Sequence, residues 1–100
     1  MIIRQLREAI GDLDEALVHY ARIHPTLAQS LADEVTGAEQ KITTRPQAWQ
    51  SLGPDVRRFV LGRFPYSIIY RASPEEILIV AYAHQRRRPG FWRGRLKTDM

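Results

Sequence analysis

The sequence predicts an α+β fold, an N-terminal antiparallel helical hairpin packed on a small antiparallel sheet of three to four strands. Two observations carry this reading. Apolar residues in the first half recur at intervals of three and four, with a single His-Pro interruption, and those in the second half fall into three short β-branched and aromatic runs separated by turn residues. At 100 residues the chain has room for one two-layer core, and a single domain over residues 1–100 is expected.

The chain opens on Met1, Ile2 and Ile3, which start either a strand or the frayed beginning of a helix. From Leu6 the spacing is helical, with Leu6, Ile10, Leu13, Leu17 and Tyr20 on one stripe and Asp12, Asp14 and Glu15 opposite. Gly11 weakens this helix by roughly 1 kcal/mol relative to alanine. His24 and Pro25 break it, and a second helix follows with Leu27, Leu31, Val35, Ala38 and Ile42 inward. A linker this short makes the pair an antiparallel hairpin. Residues 43–54 (TTRPQAWQSLGP) read as an irregular connection that Trp49 pins to the core.

Residues 57–61, 66–71 and 77–84 are the three predicted strands, joined by turns at Gly62–Pro65 and Ser73–Glu76. The run Ile77 to His84 (ILIVAYAH) is apolar on both faces, so it is expected in the middle of the sheet. Strict alternation puts Ile77, Ile79, Ala81 and Ala83 on the helix side, where small residues allow close approach. It leaves Leu78, Val80, Tyr82 and His84 on an open face beside the arginines that follow.

Composition narrows the functional classes. With 44% hydrophobic and 26% charged residues the chain is that of a folded domain. It has no cysteine, so disulfides and thiolate metal sites are ruled out, and a reducing cytoplasm is compatible. The longest apolar run is far below the ~20 residues of a membrane helix, and Met1–Ala9 lacks a signal segment, so a cytoplasmic protein without a membrane partner is expected. The net charge of +4 is unevenly placed: residues 1–50 hold five bases and seven acids, residues 51–100 ten bases and four acids. Nine of those ten bases are arginine, which suits bidentate contacts to phosphate or carboxylate. His19 and His24 are too isolated to bind metal. No phosphate loop, Ser-His-Asp set or metal signature is present, and neither a cofactor nor a small-molecule substrate is expected.

The segments VRRFVLGRFPYSIIYR and EILIVAYAHQRRRPGFW, preceded by GDLDEALVHYARIHPTLAQSLADEV, resemble the RelE/ParE superfamily of bacterial type II toxins, and are closest to its ParE-like branch. The resemblance runs from about Leu6 to Trp92. Its most specific parts are Arg63–Tyr66, Tyr70–Arg71, and His84 through Pro89 to Trp92. Members usually begin with a full edge strand, for which only Met1–Gln5 stand here. The resemblance implies a growth-inhibiting toxin of a plasmid-stabilising kind, silenced by a cognate antitoxin and directed at DNA gyrase. The alternatives are a RelE-like, ribosome-dependent mRNA endonuclease or a non-toxic member that only binds its antitoxin. Whether the chain is an enzyme stays open, with non-enzymatic inhibition preferred because the RelE-like branch leans on lysines and this chain has only Lys41 and Lys97. Arg58, Arg63, Arg71, Arg86, Arg87, Arg88 and Trp92 are the expected target- or antitoxin-binding residues. For the nuclease alternative, His84, Tyr82, Arg71 and Arg86 would supply acid, base and phosphate contacts. For Phe91 and Trp92, folding back to cover the sheet is the competing role.

Overall fold

One residue turns the chain between its two long helices, α1 (Arg7–Ile23) and α2 (Pro25–Thr44). The His24 backbone N–H donates to the Tyr20 carbonyl and closes α1, while its Nδ1 accepts from the Thr26 N–H at 3.2 Å and caps α2. Pro25 then sits at the first helical position, where its missing N–H costs nothing. The computed structural model describes residues 1–97, and the rest of that span forms strands β1 (Ile2–Gln5), β2 (Gln50–Gly53), β3 (Val56–Val60), β4 (Tyr66–Ala72) and β5 (Glu76–His84), and a short helix α3 (Arg93–Lys97).

The helical hairpin lies on one face of a five-stranded sheet of order β1-β5-β4-β3-β2, which bears out the predicted α+β architecture; it holds two short strands besides the three long runs, where three to four strands in all were expected. One is the opening Met-Ile-Ile segment, which pairs parallel to β5 with Ile3 opposite Ile77. The other is Gln50–Gly53, inside the stretch expected to be irregular, and it pairs antiparallel with β3. Both are four residues long and mostly exposed, too short to show an alternating pattern. Trp49 does pin the connection, its ring edge-on to Phe59 at 4.5 Å. β4 is the middle strand, and β5 lies between it and β1. Leu31, Val35, Ala38 and Ile42 of α2 are buried, as are Ala9 and Ala16 of α1 and nearly the whole of β5. Each large apolar side chain so buried contributes about 1.5–3 kcal/mol.

The predicted faces of β5 need correcting. Ile69 of β4 stands opposite Ala81 and Tyr70 opposite Ile79, so Val80 is an extra residue with no cross-strand partner. A bulge of this kind reverses the parity of everything beyond it. Ile77 and Ile79 face the helices as expected. Past the bulge, Tyr82 (paired with Ile68) and His84 (paired with Tyr66) take the helix side, and Ala81 and Ala83 take the opposite face. Tyr82 therefore lies among Leu13, Ala16, Leu31 and Val35 and not on the open side.

Two helix carboxylates, Glu34 and the Asp12 expected on the outer side of its helix, hold the layers together. Glu34 Oε2 accepts the Gly62 and Arg63 amides at 2.6 and 3.1 Å, fastening α2 to the β3–β4 turn. Asp12 solves a problem at the edge of β5. β1 covers that edge only as far as Ile79, whose carbonyl accepts the Leu6 N–H as the chain turns into α1. Beyond it the Tyr82 N–H donates to Asp12 Oδ2 at 3.1 Å, and the Val80 carbonyl accepts from Arg95 Nη1 at 3.1 Å. Arg95 also grips Asp12 through both oxygens, at 2.6 and 3.1 Å. The two side chains are only 15% and 12% exposed, so solvent screens the pair weakly.

Removing one partner of such a pair leaves the other charge stranded. Arg95→Ala is expected to lower unfolding stability by about 2–4 kcal/mol. In urea titrations, the Asp12→Ala/Arg95→Ala double variant should lose clearly less than the sum of the two single losses. Additive losses would show that the side chains act independently.

Candidate functional site

The segment after β5 is held against the sheet by its own backbone. Gln85 N–H donates to the Pro65 carbonyl, Arg87 N–H to the His84 carbonyl, and Arg86 N–H to His84 Nδ1. Gly90, at φ 78°, turns the chain in the left-handed region where glycine carries no Cβ penalty. A Cβ there would also meet Arg93 Nε at 3.2 Å. The turn delivers Trp92 onto the face of the sheet opposite the helices, where it is 4% exposed. Phe91 and Trp92 then serve as platforms: the Arg87 guanidinium stacks on Phe91 at 3.9 Å and that of Arg93 on Trp92 at 4.6 Å.

These residues wall a groove of about 240 Å³ on that second face. Its floor is apolar, with Leu52, Ile69, Ala83 and Trp92. Its rim carries Arg58 from β3 together with Arg87, Arg88 and Arg93, and none of its lining residues is acidic. A guanidinium lying flat on a ring keeps its N–H edge directed outward, which is the geometry that meets a carboxylate or phosphate bidentately.

The predicted binding residues divide into those the fold brings together and those it does not. Arg58, Arg87, Arg88 and Trp92 share the groove. Arg71 is on the same sheet face, two residues beyond Ile69 and outside the groove lining; opposite Leu78, it is about 20 Å along β5 from His84 at ~3.4 Å per residue. Arg63 lies in the β3–β4 turn, and Arg86 lies outside the groove lining. Trp92 is the groove's wall and floor, consistent with the covering role weighed for it. Arg93 was not singled out by sequence reasoning, although the run Phe91-Trp92-Arg93 directly after Pro-Gly held the signal.

Of the four residues named for nuclease chemistry, Tyr82 and His84 line one cleft on the helix side and Arg86 follows two residues later, while Arg71 stands apart. The Tyr82 hydroxyl is under the helices, donating to Glu39 Oε2 at 2.6 Å and accepting from Gln5 Nε2 at 2.7 Å. Burial, then the hydrogen bond to Glu39, pushes its pKa far above the ordinary phenol range. His84 is near Tyr66, ring centroids 5.1 Å apart, with Arg71 far down the strand. Among the described residues no group of histidine, aspartate and glutamate is placed to hold a metal ion.

Comparison with known proteins adds to this geometry. Residues 3–89 match the family model described as the ParE toxin of the type II toxin-antitoxin system parDE. The chain belongs to the ParE toxin family. It is thereby a member of the RelE/ParE superfamily of type II toxins, as the resemblance implied. A solved structure titled "Chromosomal ParDE TA system from P. aeruginosa" contains a chain that superposes with a TM-score of 0.71 at 26% identity, over 84% of this chain and 95% of that one. A search of curated proteins returns no match.

The buried phenols make a pH prediction. Burial raises the Tyr70 hydroxyl, which donates to the Pro46 carbonyl at 2.6 Å, to about 12, and raises Tyr82 in the same direction. Both folded values exceed the unfolded value of 10.0, so their contribution is complete below pH 10 and is lost as pH climbs through the folded values. Urea-unfolding stability should therefore fall between pH 10 and about pH 12. Tyr70→Phe together with Tyr82→Phe should flatten that decline, and a decline of unchanged steepness would place its origin elsewhere.

Proposed function

We propose that this chain is a non-enzymatic, gyrase-directed toxin of the cytoplasm whose arginine-rimmed groove docks on an anionic segment of its target. The observation that carries the reading is the groove: four arginines around an apolar floor, with no acid among the lining residues. Such a surface favours an acidic partner by long-range attraction and gives it apolar area to bury once seated. The family match supports a toxin, and the similarity to a chain of a solved ParDE system supports a cognate antitoxin as the second partner. An antitoxin that covers the same rim would silence the protein by competition. No helix of the described residues is long and apolar enough to cross a membrane.

The endonuclease reading receives less support, because Tyr82 is hydrogen-bonded beneath the helices and Arg71 is at the far end of the sheet from His84. The gyrase reading is tested by adding purified protein to a DNA supercoiling assay and by inducing it in cells. Inhibition of supercoiling and chromosomal breaks are expected, with transcripts left intact. The Arg58→Ala/Arg87→Ala/Arg88→Ala variant should need at least about tenfold more protein for half inhibition, or ~1.4 kcal/mol. Arg22→Ala, at the C-terminal end of α1, should behave as the parent. Growth arrest unchanged by the triple substitution in a folded protein would reject the groove as the docking site. Cleaved transcripts with normal supercoiling would favour the endonuclease.

A further inference from the structure

A second cleft, on the helix side of the sheet, has a chemistry opposite to that of the arginine groove. It opens where α1 crosses the end of β5, encloses about 320 Å³, and is walled by His19 and Tyr20 of α1, Tyr66 of β4 and His84 of β5, with Glu15 at its rim. The rings form one continuous aromatic wall: His19 meets Tyr20 edge-on at 4.9 Å, Tyr20 meets Tyr66 at 6.5 Å, and Tyr66 meets His84 at 5.1 Å. Among the described residues the Tyr20 and Tyr66 hydroxyls and the Glu15 carboxylate have no hydrogen-bonding partner. Unused polar groups converging on a concave aromatic surface are what a ligand site presents.

The charges facing the cleft select the ligand. Asp12 lines it too, but its oxygens are taken by Arg95 and by the Tyr82 N–H, so Glu15 is the uncommitted anion. Arg87 reaches the cleft's edge, yet its guanidinium stacks on Phe91 at 3.9 Å and belongs to the other groove. The Tyr66 hydroxyl feels the result, since burial raises its pKa first and the nearby Tyr20, Glu15 and Asp12 raise it further. Glu15 and the two phenol oxygens offer acceptors on one side of the cleft. A flat cation would stack on the ring faces and donate from its edge to Glu15 and the two phenols.

We propose that this cleft is a receptor for an arginine side chain presented by a protein partner, a contact separate from whatever the arginine groove engages. A planar guanidinium fits better than an ammonium because the walls are rings and the acceptors are spread along one side, which suits a fork of donors more than a point charge. The proposal does not depend on the gyrase reading and survives its failure.

The test follows the ring signals of His19, Tyr20, Tyr66 and His84 by NMR in the full chain while N-acetyl-L-arginine methylamide is added. Saturable shifts confined to these rings are expected. The citrulline analogue, of the same shape without the charge, should bind at least about fivefold more weakly. Glu15→Gln, a substitution at an exposed position, should weaken the arginine probe by a similar factor, and Asp33→Asn on α2 should leave it unchanged. No saturable shift, equal binding of citrulline, or indifference to Glu15→Gln would each overturn the proposal. Spermidine binding at the same rings as tightly as the arginine probe would also overturn it, because the site would then take aliphatic ammonium groups from a free polyamine.

Discussion

The structure depends on how the outer edge of β5 is closed once β1 gives way to α1. A strand buried on both faces cannot leave its backbone groups unpaired on one side, and β1 reaches only to Ile79. Asp12 and Arg95 take over, one accepting the Tyr82 amide and the other donating to the Val80 carbonyl, while gripping each other. Residues 83 positions apart thus complete a ladder that no strand completes. The same contact fastens α3, so the segment bearing Phe91, Trp92 and Arg93 is tied at both ends, by β5 before it and by Arg95 after it. The arginine groove owes its fixed shape to an ion pair at the edge of the neighbouring strand.

The sheet then separates two chemistries. On the helix side the end of β5 contributes His84 to an aromatic cleft with acids near it, and on the other side it contributes Ala83 to the floor of a groove ringed by arginines. Adjacent residues of one strand point to surfaces of opposite electrostatic character, as the pleat requires. The charge imbalance between the halves of the sequence is thereby turned into an imbalance between faces.

Much of this was legible before any coordinates. The helical periodicity, the His-Pro junction and the three long apolar runs gave both layers, and the arginine cluster after β5 pointed to the tail as the charged surface. What escaped has identifiable causes. Gln50–Gly53 is too short and exposed to carry a period-two signal, and its pairing with β3 is a tertiary fact. The bulge at Val80 leaves no mark in a run where every residue is apolar, so alternation counted through it placed Tyr82 and His84 on the wrong face. Asp12 and Glu34 look like ordinary solvated acids in a helical pattern. Only the folded chain shows that the Tyr82 and Gly62 amides reach them. Arg58 lines the groove, whereas Arg71, on the same sheet face and two residues beyond Ile69 on the neighbouring strand, falls outside its lining.

The grip of Glu34 on the Gly62 and Arg63 amides has a mechanical side. Apolar contacts between a helix pair and a sheet resist being pulled apart but oppose sliding only weakly, since one greasy neighbour replaces another. A carboxylate that clasps two amides across the boundary has no equivalent a residue further on. It works as a dowel between two boards, setting the register of the layers where packing alone would leave them free to creep.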